Sequence, residues 1–399
     1  MGERRNSIAF SPNKIGNLQI KNRLVRSATF SKMATTEGEV TEEMVGFYSN
    51  LAKGGIGLII TGHTGVHPKG ITNTQMLRIT EDRFIPGLNR ISSAVHQADR
   101  ECKIVLQLNH AGRQQVAPEL GLPAVAPSAV YDNLFQRTPK ELTVGEIDEI
   151  IESFAEGIRR AKIAGFDGAQ LHSAHGWLLS SFLSPLTNKR SDKYGGTTKK
   201  RVRILKEIFE SAQGKVGDEF PILIKLNTGD CMPGGMEIEE AKTVARHISE
   251  IGFSAIEISG GMWEAITRSE EELGWKPFPV PEARMDILKK DQEAYFWDQA
   301  KEIKKDIHTK VILVGGIRSI DKIEDILNEG SVDFCSMARP LIREPDLPNR
   351  WLRGEGSRRS KCISCNHCLP KEGRPVECRA NEKHDIAAIR RKMFPYFQK

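Results

Sequence analysis

A single (β/α)8 TIM barrel, an α/β fold, is the architecture this sequence predicts, and three observations predict it. Short β-rich runs alternate with longer amphipathic segments along the 399 residues. Several of the short runs, GLII and VILV among them, are continuously apolar, as strands covered on both faces of a parallel sheet must be. The alternation repeats eight times, and eight strand–helix units in one chain read as a closed barrel. A doubly wound open sheet is the competing architecture. It is disfavoured because no G-x-G-x-x-G follows any strand.

Taken in order, the strands are expected at residues 23–28, 56–62, 103–109, 167–172, 221–227, 254–259, 310–315 and 332–338. Helices fit between them at 42–53, 87–98, 144–164, 198–212, 238–251, 292–305 and 320–328, with an eighth around 349–352. Two connections, 114–143 and 261–290, exceed the usual length. Both follow strand ends, where a barrel keeps its chemistry, so they read as long strand-to-helix loops that form lids or pocket walls. After Arg350 the composition changes to GEGSRRSK, a polar connector, and a cysteine-rich tail follows. The barrel is therefore expected over residues 1–350, with 351–399 as a C-terminal extension packing on it.

Bulk properties narrow the function. Hydrophobic residues at 39% and charged residues at 28% suit a soluble globular protein. The 58 basic against 52 acidic residues leave a net charge of +6, too mild over this length to argue for nucleic acid. MGERRNSIAF lacks the apolar core of a signal peptide, and Asn6 breaks the myristoylation pattern. No apolar run reaches membrane-spanning length. The expectation is a cytoplasmic location without a membrane. Four of the seven cysteines crowd into 362–378, which in that setting suggests metal rather than disulfides.

Several residues at strand ends are chemically unusual. His172 and His175 lie three apart where the fourth strand turns. Two imidazoles there can aim two N–H donors at one oxygen; a hydrogen-bonded structural pair is the alternative. A zinc reading is weaker, since the helical motif needs H-E-x-x-H and a third ligand. Lys225 stands inside PILIKLN. A buried ammonium needs an anionic partner or loses its charge, so it faces either a bound anion or a salt bridge within the barrel. Gln107, in VLQLN, can donate and accept at the edge of a heteroaromatic ring, or be a satisfied core amide. Gly315 and Gly316 end the seventh strand, and Ala338 and Arg339 the eighth. That is the usual phosphate site of this fold; ordinary turn glycines and a surface arginine are the alternative.

At this point the chain resembles the old yellow enzyme superfamily of FMN-containing oxidoreductases. The carriers are KIGNLQIKNRLVRSATF, GGIGLIITG, LQLNHAGR, GFDGAQLHSAHGWLLSSFLSPLTNKRSDKYGG, VGGIRS and MARPLIREPDLPNRW. With CISCNHC and a further cysteine, it is most similar to the branch of dienoyl-CoA reductase, 2-enoate reductase and trimethylamine dehydrogenase. The resemblance implies that Ser27, Ala28 and Thr29 contact FMN, with Gly62 and His63 near its reactive nitrogen. Gln107 and Lys225 would meet the pyrimidine edge, and Gly315, Gly316, Ala338 and Arg339 the phosphate. His172 and His175 would hydrogen-bond the carbonyl oxygen of an α,β-unsaturated substrate, with NAD(P)H as reductant.

One departure matters. The family's proton donor is a Tyr two residues after the second histidine, and Trp177 stands there. An indole N–H donates a hydrogen bond but does not release its proton under ordinary conditions. Water or another residue must then deliver the proton, with Tyr131 in the first long loop as the candidate. Otherwise the reaction differs, and Trp177 is a wall on which substrate stacks.

Cys362, Cys365, Cys368 and Cys378 form C-x2-C-x2-C-x9-C. The resemblance implies a [4Fe–4S] cluster. The final gap is shorter than in the relatives, and His367 intrudes, so zinc on four cysteines, or on three with His367, fits the same donors, and an empty site remains open. The relatives continue into a second dinucleotide-binding domain, whereas this sequence ends at Lys399. A cluster here is expected to need an electron-transfer protein partner or to clamp the tail. Self-association is a further family expectation. Three functions remain open: an ene-reductase acting on enones or enoates, an amine dehydrogenase or demethylase, and a flavin electron carrier. The histidine pair favours the first; Trp177 and the tail favour the second.

Overall fold

The computed structural model describes residues 7–116, 120–370 and 374–380. Eight strand–helix units follow one another as predicted: β1 (Leu24–Arg26), α1 (Glu42–Lys53), β2 (Leu58–Ile60), α2 (Ile85–Ala98), β3 (Lys103–Asn109), α3 (Val144–Ile163), β4 (Gly168–Ser173) and α4 (Thr198–Val216), then β5 (Ile222–Asn227), α5 (Ile238–Ile251), β6 (Ala255–Ser259), α6 (Trp297–Lys304), β7 (Lys310–Leu313), α7 (Ile320–Glu329), β8 (Phe334–Met337) and α8 (Leu347–Arg353). Each strand pairs in parallel with the next, and β8 pairs with β1, so the sheet closes. The last part of the expected extension, 381–399, lies outside the described residues, as do 371–373 and, in the first long loop, 117–119.

Local chemistry sets the helix ends. Thr143 and Glu146 form a reciprocal capping box at the start of α3. Gly252 and Gly330, both left-handed, end α5 and α7. α1 and α5 have the predicted limits. α6 begins only at Trp297, because the chain before it is held by the loop: the Tyr295 N–H bonds the Gly315 carbonyl. Two short helices, Leu178–Leu183 and Arg339–Arg343, carry no amphipathic period that could announce them; all six residues of the first are buried.

The barrel's two faces separate cleanly. Ile104, Leu106 and Leu108 of β3 and Ile222, Ile224 and Leu226 of β5 join the large core between strands and helices. Val105, Leu223, Ala255, Ile312, Phe334, Val25, Leu58 and Ile60 form a second cluster inside the barrel. Successive side chains of a strand point to opposite faces, so Gln107, Lys225, Glu257, Ser27 and Ser336 face the same interior one layer further toward the strands' carboxyl ends. Asn109, His172, Asn227 and Ser259 stand a layer beyond. The interior is thus apolar at its floor and polar above it.

An antiparallel hairpin of Asn13–Ile15 and Leu18–Ile20, absent from the sequence expectations, supplies Ile15 and Ile20 to that floor. Its turn residue Gly16 has φ +57°, and a Cβ there would lie 3.3 Å from Ser254 Oγ, just before β6. The hairpin therefore plugs the end opposite the polar layer. Ile20→Ala, which truncates a fully buried plug residue, is expected to lower the unfolding free energy by about 2–5 kcal/mol, read as a lower urea midpoint at an unchanged slope.

Candidate active site

The polar layer is organised by Glu257, whose side chain is 0% exposed. Its Oε1 accepts from Ser27 Oγ at 2.6 Å and Ser336 Oγ at 2.8 Å. Its Oε2 accepts from Gln170 Nε2 at 3.1 Å and lies 3.1 Å from Lys225 Nζ. Lys225 also donates to Ser27 Oγ at 3.0 Å, and Gln107 Nε2 donates to Gln170 Oε1 at 2.8 Å. The sheet register makes these contacts: Lys225 pairs with Glu257 and with His172, and Gln107 with Gln170. Burial alone would raise the Glu257 carboxyl's pKa, but the Lys225 ammonium and the hydroxyl donors overcome it and hold the pKa below its ordinary value. Lys225 has three N–H bonds and only these two partners among the described residues. One N–H is left over on a group that is 5% exposed.

Above this layer stand three imidazoles, those of His172 and His175 buried and that of His63 half-buried. The rings of His172 and His175 are edge-on with centroids 5.1 Å apart, and His63 lies 6.2 Å from His172. Trp177 closes the group, 5.3 Å from His63, 6.1 Å from His172 and 5.0 Å from the tilted ring of Trp263. Burial lowers the pKa of all three imidazoles: His63 to about 4, His172 and His175 well below their ordinary value, with neighbouring imidazoles and Lys225 adding to the effect. Each is therefore neutral near pH 7, with one N–H to donate. His172 Nδ1 and His63 Nε2 are buried without a hydrogen-bond partner among the described residues.

His175 is held in the left-handed region, φ +62°, which a non-glycine residue tolerates only when its surroundings impose it. Four elements do so. Its N–H donates to Asn227 Oδ1 at 3.0 Å, its carbonyl accepts from Gln114 Nε2 at 2.9 Å and from the Trp263 N–H, and its Nε2 lies 2.7 Å from Ser259 Oγ. β5, β6 and both long loops thus fix one imidazole.

The long loops wall the mouth. Arg113 Nε is 2.8 Å from Asp132 and its Nη2 3.3 Å from Glu264, all three buried, tying one loop to the other. Tyr131 sits on this tie by its backbone, its carbonyl accepting from Arg113. Its side chain is 51% exposed, and no described contact joins the ring to the histidines. In the second loop Arg284 lies over the rings of Trp275 and Tyr295, at 4.5 and 4.4 Å. Gly315 and Gly316 have φ +131° and +70°, and Cβ atoms there would meet the Tyr295 ring at 3.2 and 2.8 Å. Gly62 is equally confined: a Cβ would lie 2.5 Å from the Thr29 carbonyl oxygen. Its N–H donates to the Tyr48 hydroxyl at 2.8 Å. Ala28 packs against the interior cluster.

Arg339, at the end of β8 beyond Ala338, turns one Nη toward the tail. It donates to the Arg284 carbonyl at 2.8 Å, to the Ser364 carbonyl at 3.3 Å and to Asn366 Oδ1 at 2.6 Å. Cys362, Cys365, Cys368 and Cys378 are all free thiols. Cys368 lies within electrostatic reach of the other three and of Arg339, and Arg343 Nη1 donates to Cys378 Sγ at 3.4 Å. Among the described residues no three His, Cys, Asp or Glu side chains are arranged to hold a metal ion. Burial raises the pKa of the Cys362 and Cys368 thiols, and the Arg339 guanidinium opposes that shift at both.

Glu257, Ser336, Gln170 and Ser259 escaped sequence reasoning. The available signal was AIEIS, an acidic residue in an apolar strand, the counterpart of Lys225 in its neighbour. Glu264 and Glu282, in loops, carried no such signal.

Residues 9–355 match the NADH:flavin oxidoreductase / NADH oxidase family. The chain is 39% identical to a metal reductase of Desulforamulus reducens over 378 residues, 94% of this chain and 53% of that protein. It is 36% identical to an NADH oxidase of Thermoanaerobacter brockii over 364 residues, 90% of this chain and 52% of that protein. The chain thus spans about half the length of these relatives. Among solved structures, a 2-naphthoyl-CoA reductase complex superposes with a TM-score of 0.82 at 26% identity, over 91% of this chain and 54% of that one. No helix among the described residues is long and apolar enough to cross a membrane.

The Lys225–Glu257 pair makes a prediction of its own. Glu257→Gln leaves the ammonium buried without a counter-charge, which is expected to lower stability by about 3–5 kcal/mol. Adding Lys225→Met should recover most of that loss, measured by denaturant unfolding of both variants.

Proposed function

The chain belongs to the NADH:flavin oxidoreductase / NADH oxidase family, and on that premise we propose that it is an FMN-dependent oxidoreductase that reduces the C=C bond of α,β-unsaturated carbonyl compounds with NAD(P)H. The observation that carries this reading is the trio of neutral imidazoles at the barrel mouth, with the buried His172 Nδ1 unpartnered, on the strand beside Lys225. Neutral N–H donors fixed in a water-poor site stabilise an oxygen that gains negative charge during reaction.

The residues suit FMN. Lys225, with an N–H to spare, and Gln107 would take the pyrimidine edge, where the cation offsets the charge of the reduced ring. Ser27, Ala28, Thr29, Gly62 and His63 would line the ring. Gly315, Gly316, Ala338 and Arg339 would hold the phosphate, with Arg284 close by. When bound, reduced FMN supplies a hydride equivalent to the substrate's β-carbon. The protein's part is to hold the carbonyl oxygen: His172 and His175 donate to it and stabilise the enolate-like charge, one such donor contributing on the order of 3 kcal/mol. Trp177 and Trp263 form the wall on which a flat substrate stacks and from which water is excluded.

A second reading, electron exchange with a separate protein through a [4Fe–4S] cluster on Cys362, Cys365, Cys368 and Cys378, is favoured by the Arg339 guanidinium, which links the phosphate side of the mouth to the segment between these cysteines. An amine as hydride donor to the same flavin is the remaining alternative.

His172→Ala and His175→Ala are each expected to lower kcat/KM for enone reduction about 10²–10³-fold while the protein keeps its FMN. Anaerobic stopped-flow with NADH and NADPH checks this; a flavin bleached by neither, yet bleached by a reduced ferredoxin or an amine, would replace the reading with one of the others. Anaerobically purified protein is expected to show flavin absorbance with about four irons and four sulfides per chain. One zinc without sulfide would reassign the cysteines.

A further inference from the structure

Trp177 leaves a requirement unfilled. Reduction of an enone ends with a proton on the α-carbon, and neither an indole N–H nor two imidazoles that stay neutral and lend their N–H bonds to the oxygen is a ready source of it. A group is needed that is acidic, protonated at neutral pH and on the same wall of the mouth.

Glu282, in the second long loop, is an acid on that wall whose pKa burial raises. Its Oε2 is buried with no hydrogen-bond partner among the described residues. Its Oε1 accepts from Trp263 Nε1 at 3.4 Å, and Trp263 is the residue whose ring packs against Trp177 and whose backbone N–H bonds the His175 carbonyl. The preceding residue, Pro281, presses on Gly261 at the end of β6: a Cβ on Gly261 would lie 2.9 Å from Pro281 Cβ. The next residue, Met262, is bridged to His175. The loop is held there from behind, since the Tyr295 hydroxyl donates to the Glu282 carbonyl at 2.8 Å and the Ala283 carbonyl accepts from Asn366. The residue as a whole is partly exposed, so its carboxyl is sequestered while the chain around it borders the open mouth. A buried carboxyl oxygen with no hydrogen-bond partner has no structural account as an ion pair.

We propose that Glu282 is the proton donor of this active site, in the role that Trp177 leaves vacant. The inference rests on the ene-reductase reading above. Once hydride has reached the β-carbon, the electron pair of the former double bond lies over the α-carbon and the carbonyl oxygen. The Oε2–H bond of Glu282 breaks, a C–H bond forms at the α-carbon, and the carbonyl is restored as His172 and His175 release its charge. The carboxylate that remains is stabilised by Lys225 and the Trp263 N–H, and takes a proton back from water. The titratable groups that face it are Lys225 from β5, Tyr295 ahead of α6 and, beyond that ring, Arg284. Burial outweighs the residue's own backbone N–H, the Trp263 bond and Lys225, and raises the carboxyl's pKa above its ordinary value, the direction a general acid requires.

The test uses the FMN-loaded full chain, photoreduced without oxygen and mixed with 2-cyclohexen-1-one, with flavin reoxidation followed by stopped-flow from pH 5 to 9. In the wild type the rate should fall as pH rises through the Glu282 pKa. Glu282→Gln should keep its FMN absorbance, react about 10²–10⁴-fold more slowly and lose that limb of the profile; Glu282→Asp should recover part of the rate and the limb. A Glu282→Gln protein that reoxidises at the wild-type rate with the limb intact overturns this proposal and leaves the ene-reductase reading standing. A wild-type protein that cyclohexenone does not reoxidise at any pH overturns both. If Glu282→Gln sheds its flavin while Glu282→Asp retains it and reacts as wild type at every pH, Glu282 is a loop brace and the proposal fails.

Discussion

One buried ion pair sets the terms for the rest of the site. Lys225 and Glu257 face each other across adjacent strands inside a barrel from which water is largely excluded. Neither charge could be buried alone. Together they require further donors, and Ser27, Ser336 and Gln170 supply them from β1, β8 and β4. Five of eight strands, with Lys225 on β5 and Glu257 on β6, are thus tied at one height. Gln107 on β3 joins through Gln170. That band is the base on which the histidines stand, since His172 is the register partner of Lys225.

The band also separates two kinds of stability. Below it, the interior is apolar and closed by an N-terminal hairpin, so that end contributes through burial. Above it, the mouth contains strained and unpartnered groups: His175 at positive φ, His172 Nδ1 and His63 Nε2 without partners. Such features persist only when their surroundings over-determine them, and the three-sided hold on the His175 backbone is of that kind.

The tail is part of the same construction. Asn366, between Cys365 and Cys368, donates to the Ala283 carbonyl and accepts from Arg339. The Asp286 N–H bonds the Ser364 carbonyl. The loop that carries Glu282 and Arg284 is therefore braced by the segment that carries the cysteines. A change in the cysteine segment therefore bears on the loop that walls the barrel mouth.

How much was legible follows from where the information lies. Continuous apolar strands, capping residues such as Thr143 and Glu146, and left-handed glycines after helices are local, so the eight units and most of their limits could be read along the chain. Lys225 and Gln107 were legible because each is polar where its strand is apolar, and the two histidines because they stand where an apolar strand turns. The wholly buried helix Leu178–Leu183 and the plugging hairpin have no periodic signature to read. What the sequence by itself determined is the barrel and the identity of several groups at its mouth. Only the tertiary structure decided their partners: which carboxylate meets Lys225, which loops hold His175, that the Tyr131 side chain faces outward while the Glu282 carboxyl is buried, and that Arg339 reaches the tail. Strand register and loop packing bring together residues far apart in the chain, and no spacing within one segment encodes a contact made across the barrel.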